Sequence, residues 1–124
     1  MTFGKRVRQL RKAKGLTQRE LADSVAARLK DQDRRGFDVT YLSKIENDRM
    51  PPPSTPAIIE LAKVVEADAD ELLALAKRVP PDMSKKLTDS RGARTFYRSA
   101  LEMGLSEADW KKLLEQIKRD KGEQ

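Results

Sequence analysis

The chain contains no cysteine and no histidine. Disulfides, thiolate nucleophiles, imidazole acid–base chemistry and most zinc sites are thereby excluded, and cysteine usage says nothing about redox compartment. No apolar run is long enough to cross a bilayer, and the opening Met1-Thr2-Phe3-Gly4-Lys5-Arg6 lacks the apolar stretch of a signal peptide. The expectation is a soluble cytoplasmic protein.

What the chain does have is charge, unevenly placed. The 124 residues suit one compact domain, or a small one with an appendage, and carry a formal net charge of +6. Residues 1–50 hold 13 Lys/Arg against 7 Asp/Glu, residues 51–80 hold 3 against 5, and residues 81–124 hold 10 against 8. The positive excess therefore sits in the first half. A localised positive field favours a polyanion through counterion release, but it equally suits a solvated surface kept for solubility. Charge alone leaves both open.

Helical patterning runs through that half. Phe3, Val7 and Leu10 fall at helical spacing, and Gly15 offers a left-handed cap that ends the first helix. Thr17 and Glu20 form a capping-box pair between Leu16 and Leu21, which take the two ends of a hydrophobic staple. A second helix thus opens at Gln18 and runs through Leu29, with no breaker before Asp31. Residues 31–36 read as a polar connection, either an exposed loop or a contact with DNA.

Asp38 is a plausible N-cap for a third helix in which Leu42 and Ile45 point to the core. Val39, Thr40, Ser43 and Lys44 then face away from it. Short, polar or singly basic side chains on an exposed face suit close approach to base edges and phosphates. Lys44 donates only, which fits guanine acceptors or phosphate, while the methyl groups of Val39 and Thr40 suit thymine. Val39 also reads as a cap on the core, and Tyr41 as a packing residue.

Met50-Pro51-Pro52-Pro53 is a stop that no helix crosses. Ser54 caps a fourth helix whose apolar set Ile58, Ile59, Leu61, Ala62 and Val65 predicts full burial. Asp68 and Glu71 make another capping-box pair, and Leu72, Leu73 and Leu75 make the fifth helix core-forming. The same capping explains Asp68, Asp70 and Glu71 better than a catalytic carboxylate pair does, so an enzyme is not expected. No metal site, cofactor site or phosphate-cradling glycine loop is visible. Val79-Pro80-Pro81 marks a boundary, giving domains at 1–79 and 80–124.

Five short helices in this order resemble the Cro/C1-type helix-turn-helix family, also called the Xre family. The resemblance is carried by Phe3 to Leu16 (FGKRVRQLRKAKGL), Thr17 to Ala22 (TQRELA), Tyr41 to Asn47 (YLSKIEN), Pro53-Ser54, Leu61-Ala62 and Asp70 to Leu73 (DELL). It covers about residues 3–78 and implies an all-α, five-helix, lambda-repressor-like domain that binds double-stranded DNA, here with a C-terminal helical extension. By the resemblance, Gln18, with Thr17 beside it, would touch a phosphate or an outer base. Val39, Thr40, Ser43 and Lys44 would face the major groove, and Tyr41, Asn47 and Arg49 would hold the DNA backbone. Arg11 and Glu46 look like the family's structural ion pair.

One stretch departs from the pattern. Gln18 to Asp38 spans twenty residues, about twice what the family needs between those positions. Either the second helix is longer or a loop projects, and Arg28, Lys30, Arg34 and Arg35 would then extend the basic surface along the DNA backbone.

Beyond Pro81 the family pattern gives out. Met83 and Leu87 predict a short helical turn interrupted at Thr88 to Gly92. Phe96, Tyr97, Ala100, Leu101 and Met103 then give a helical face closed by Gly104. Leu105 to Trp110 repeats the staple-and-cap arrangement, and Trp110, Leu113, Leu114 and Ile117 follow at i, i+3, i+4 and i+7 as one apolar stripe. Two such helices cannot bury that surface against each other alone. We expect Phe96, Tyr97, Leu101, Trp110, Leu113, Leu114 and Ile117 to form a homodimer, with packing on the first domain as the alternative. The function expected is a transcriptional repressor recognising an inverted repeat. Two other readings are an antitoxin-like module whose C-terminal helices engage a foreign protein, and a sequence-blind nucleoid-coating protein.

Overall fold

A computed structural model describes residues 1–30 and 36–122, which form eight helices and no strand. The fold is all-α. The chain divides into two compact units, Met1–Pro80 and Pro81–Gln124.

The first unit holds α1 (Phe3–Ala13), α2 (Gln18–Leu29), α3 (Val39–Glu46), α4 (Thr55–Val65) and α5 (Ala69–Leu75). Each helix starts where a short polar side chain accepts a first-turn amide: Thr2 from Lys5, Thr17 from Glu20, Asp38 from Tyr41, Ser54 from Ala57 and Asp68 from Asp70. At Thr17 the capping box is complete, because Glu20 Oε1 accepts from the Thr17 amide at 3.0 Å. At Asp68 the expected box is corrected. Glu71 does not turn back to the cap; its carboxylate takes Arg6 Nε of α1 at 2.8 Å.

The inward faces follow helical periodicity. Val7 of α1, Leu21, Ala22, Val25 and Leu29 of α2, and Leu42 and Ile45 of α3 meet Ile58, Leu61 and Ala62 of α4 and Leu72 and Leu73 of α5. α4 packs against α2 and α5, and α3 packs against α1 and α2. The composition of the fourth helix predicts full burial, and the structure corrects this. Lys63 is exposed, and Ile59, Glu60 and Val64 are half-buried. Truncating one of the central leucines, such as Leu61→Ala, would cost about 2–5 kcal/mol.

Two close approaches fix α3. Gly4 lies where α1 meets the end of α3, and a Cβ there would stand 2.1 Å from the Ile45 carbonyl oxygen. Arg78, just past α5, donates to the carbonyls of Pro52 and Pro53, so the proline stretch after α3 is tied down at its far end.

The second unit holds α6 (Pro81–Asp89), α7 (Arg91–Met103) and α8 (Glu107–Asp120). α6 is longer than the expected single turn. The interruption expected over Thr88 to Gly92 falls at Ser90, which caps α7, so Gly92 already lies in the first turn of that helix. Gly104 ends α7 in the left-handed conformation with φ 62°, and Ser106 and Asp109 form a complete capping box at the start of α8. Among the described residues of this unit, Ala100 is the one buried apolar side chain.

Candidate nucleic-acid interface

α3 is only eight residues long, and its inner side is fully committed. Leu42, Ile45 and Glu46 are buried, which leaves the opposite edge to solvent. Thr40 and Lys44 stand one turn apart on that edge, and both are exposed. Among the described residues, no side chain bonds to or pairs with either. Lys44 therefore presents an uncompensated ammonium. Val39 and Ser43 flank them, half-buried, with Val39 also touching the core. A shallow hollow of about 230 Å³ beside this edge is lined by Gly36, Asp38, Thr40, Tyr41, Lys44 and Met50.

The side chains expected to steady a duplex are placed less uniformly. Tyr41 is half-buried and meets Phe37 edge-on, with ring centroids 5.5 Å apart. Asn47 is exposed, but its amide donates back to the Ser43 carbonyl at 2.8 Å, closing the end of α3. Arg49 is exposed just beyond, and its backbone N–H bonds to the Lys44 carbonyl across a left-handed Asp48. Thr17 is exposed, with its hydroxyl used as the α2 cap. Gln18 is half-buried and donates to Glu46 Oε1 at 3.1 Å. Arg28 lies 3.7 Å from Glu60 of α4, so part of its charge is answered within the fold. Arg34 and Arg35 lie outside the described residues.

Behind α3 sits the buried pair of Arg11 and Glu46. Arg11 Nε and Nη2 bond to the two carboxylate oxygens at 2.8 and 3.0 Å, and Nη1 bonds to the Leu16 carbonyl at 2.9 Å. The bidentate geometry and the added partners satisfy two ions that are 8% and 3% exposed.

Sequence reasoning passed over Phe37, which is buried in the core immediately before the Asp38 cap. The signal was present: an apolar residue at that position staples to the one five places on, here Leu42, as Leu16 does to Leu21. Gly4 and the Thr2 hydroxyl, which donates to Asp48 at 3.0 Å, were also passed over. Both are contacts between residues more than forty apart, for which local sequence gives no signal.

In the second unit, Phe96, Tyr97, Leu101, Leu114 and Ile117 are each about half exposed, Met103 more so, and Leu113 and Trp110 less. An open groove of about 570 Å³ runs between α7 and α8, lined among others by Phe96, Ala100, Met103, Leu105 and Leu113. Among the described residues, no group of acidic side chains is arranged to hold a metal, and no helix is long and apolar enough to cross a membrane.

A short helix packed on its predecessor, with its outer edge uncovered and its base pinned by a buried ion pair, defines a DNA-binding unit of the helix-turn-helix class. A family model described as "Helix-turn-helix domain" matches residues 2–75. That is more than half of the chain, and the chain belongs to this family. A solved structure titled as a complex of the SinR and SinI proteins is similar at TM-score 0.49 and 24% identity, over 98% of this chain and 100% of that one. No curated protein sequence matches.

Proposed function

We propose that the chain is a sequence-specific transcriptional repressor that binds an inverted-repeat operator as a homodimer. The observation that carries the reading is the unpartnered edge of α3, where Thr40 and Lys44 are exposed one turn apart on a helix otherwise fixed in the core. Such an edge can enter a major groove without disturbing the fold. Thr40, Ser43, Lys44 and the Val39 methyls would select bases, while Tyr41, Asn47, Arg49 and the amino end of α2 at Thr17 would hold phosphates. The protein would act by occupying DNA, not by catalysis.

One such helix reads few base pairs, and dimers of this class set two half-sites about one helical turn apart. With the DNA-binding domain taken as residues 1–79, that second task would fall to residues 80–124. A unit of this size with so little buried apolar surface needs cover to be stable. The stripe of Trp110, Leu113, Leu114 and Ile117, with Phe96, Tyr97 and Leu101, would supply it in a second copy. α8 carries Glu107 and Asp109 in its first turn and Lys118 and Arg119 in its last, which suits an antiparallel copy of itself. The groove between α7 and α8 favours one other reading, a foreign partner protein docked there.

Selecting bound duplexes from a random pool tests the proposal. A palindrome should emerge, and Thr40→Ala and Lys44→Ala should each weaken its binding about five- to 150-fold, from about 1–3 kcal/mol per base contact. Recovery of no common sequence, with a steep salt dependence, would identify a coating protein instead.

A further inference from the structure

Gln18 occupies the first position of α2, where family resemblance implies a contact with DNA. Its side chain is instead turned inward onto Glu46 Oε1, at 3.1 Å. That carboxylate is buried and already holds Arg11 Nε and Nη2. Gln18 is thus its third donor, and three elements converge there: Arg11 from α1, Gln18 from the start of α2 and Glu46 from the last residue of α3. A hydrogen bond to a buried charge is strong, and withdrawing the amide would leave the carboxylate short of a donor where water is excluded.

We propose that Gln18 is a positioning residue for base recognition and does not touch the DNA: its amide ties α2 to the end of α3 and sets the angle at which Thr40 and Lys44 are presented. This rests on the reading of α3 given above. An eight-residue helix is about 12 Å long, so a tilt of about 10° about Glu46 moves its far end by about 2 Å. Base contacts tolerate roughly 0.5 Å. Losing one bond at the pivot therefore degrades discrimination before it degrades folding.

The test compares wild type with Gln18→Met, which keeps length without a donor, and Gln18→Lys, which keeps a donor and adds charge. Each full-length protein is titrated with the selected duplex and a scrambled duplex over a range of salt, where circular dichroism shows all three folded. Gln18→Met should lose about tenfold in discrimination with scrambled-duplex binding unchanged. Gln18→Lys should keep discrimination and the wild-type salt slope, its ammonium being held by Glu46. Equal weakening of both duplexes by Gln18→Met, or a slope steeper by about 0.9 for Gln18→Lys, marks a phosphate contact and overturns the proposal. Failure of wild type to discriminate sinks the reading of α3 itself, a separate outcome. Should Gln18→Met fail to fold, the wild-type Gln18 side-chain amide decides by nuclear magnetic resonance. It should exchange slowly with water and keep its shift when duplex is added; a shift on adding duplex overturns the proposal.

Discussion

Gly4 shows how little room separates α1 from the end of α3. A methyl group there would stand 2.1 Å from the Ile45 backbone oxygen, which cannot swing aside as the Asp48 carboxylate at 2.7 Å could. Gly4→Ala should therefore cost about 3 kcal/mol or more and lower Tm by more than about 10 °C, measured by thermal denaturation. An unchanged Tm would mean that the two helices are not packed this closely. The Gln18 bond to Glu46 belongs to the same scale. The type and position of Gln18 suggest a surface donor, and only the fold brings a carboxylate from residue 46 within 3.1 Å of it.

At the level of elements, local chemistry was legible. Thr17, Asp38, Ser54 and Ser106 announce helix starts because each bonds within its own first turn. Glu71 looked like such a residue and is not, since Arg6, sixty-five positions away, competes for its carboxylate. The interruption expected over Thr88 to Gly92 narrows to the single residue Ser90, whose side chain caps α7 and leaves Gly92 within its first turn. The outward edge of α3 was legible because Leu42 and Ile45 fix which side is inward; what lines the hollow beside it was not.

Capping also carries a pH signature. The Glu20 carboxyl is held below the usual glutamate range, first by the Thr17 backbone amide and then by the Thr17 hydroxyl. A depressed value means that the stabilising bond is present at neutral pH and lost as pH falls through the folded-state value. A carboxyl titration by nuclear magnetic resonance should show Glu20 titrating low. In Thr17→Ala it should move only part of the way back, because the backbone donor remains. Full return to the ordinary range would contradict this assignment of causes.

For the whole molecule, the consequential division is between a unit that buries its apolar faces and one that leaves them open. The first unit places its large aliphatic side chains in a shared core; the second leaves Phe96, Leu101, Leu114 and Ile117 about half exposed. If a second copy covers them, Trp110→Ala should give monomers in sedimentation and weaken binding to a full palindrome more than to a single half-site. An unchanged dimer would refute the role given to Trp110. A wild-type protein that is already monomeric would shift the balance to a foreign partner.

The central claim is that the outer edge of α3 lies in a major groove. Methylation interference on the selected duplex tests it most directly, because guanine N7 lies in that groove. The account predicts that premethylated guanines within each half-site block binding by wild type, and that Lys44→Ala changes which guanine matters. Binding indifferent to N7 methylation throughout the site would contradict it.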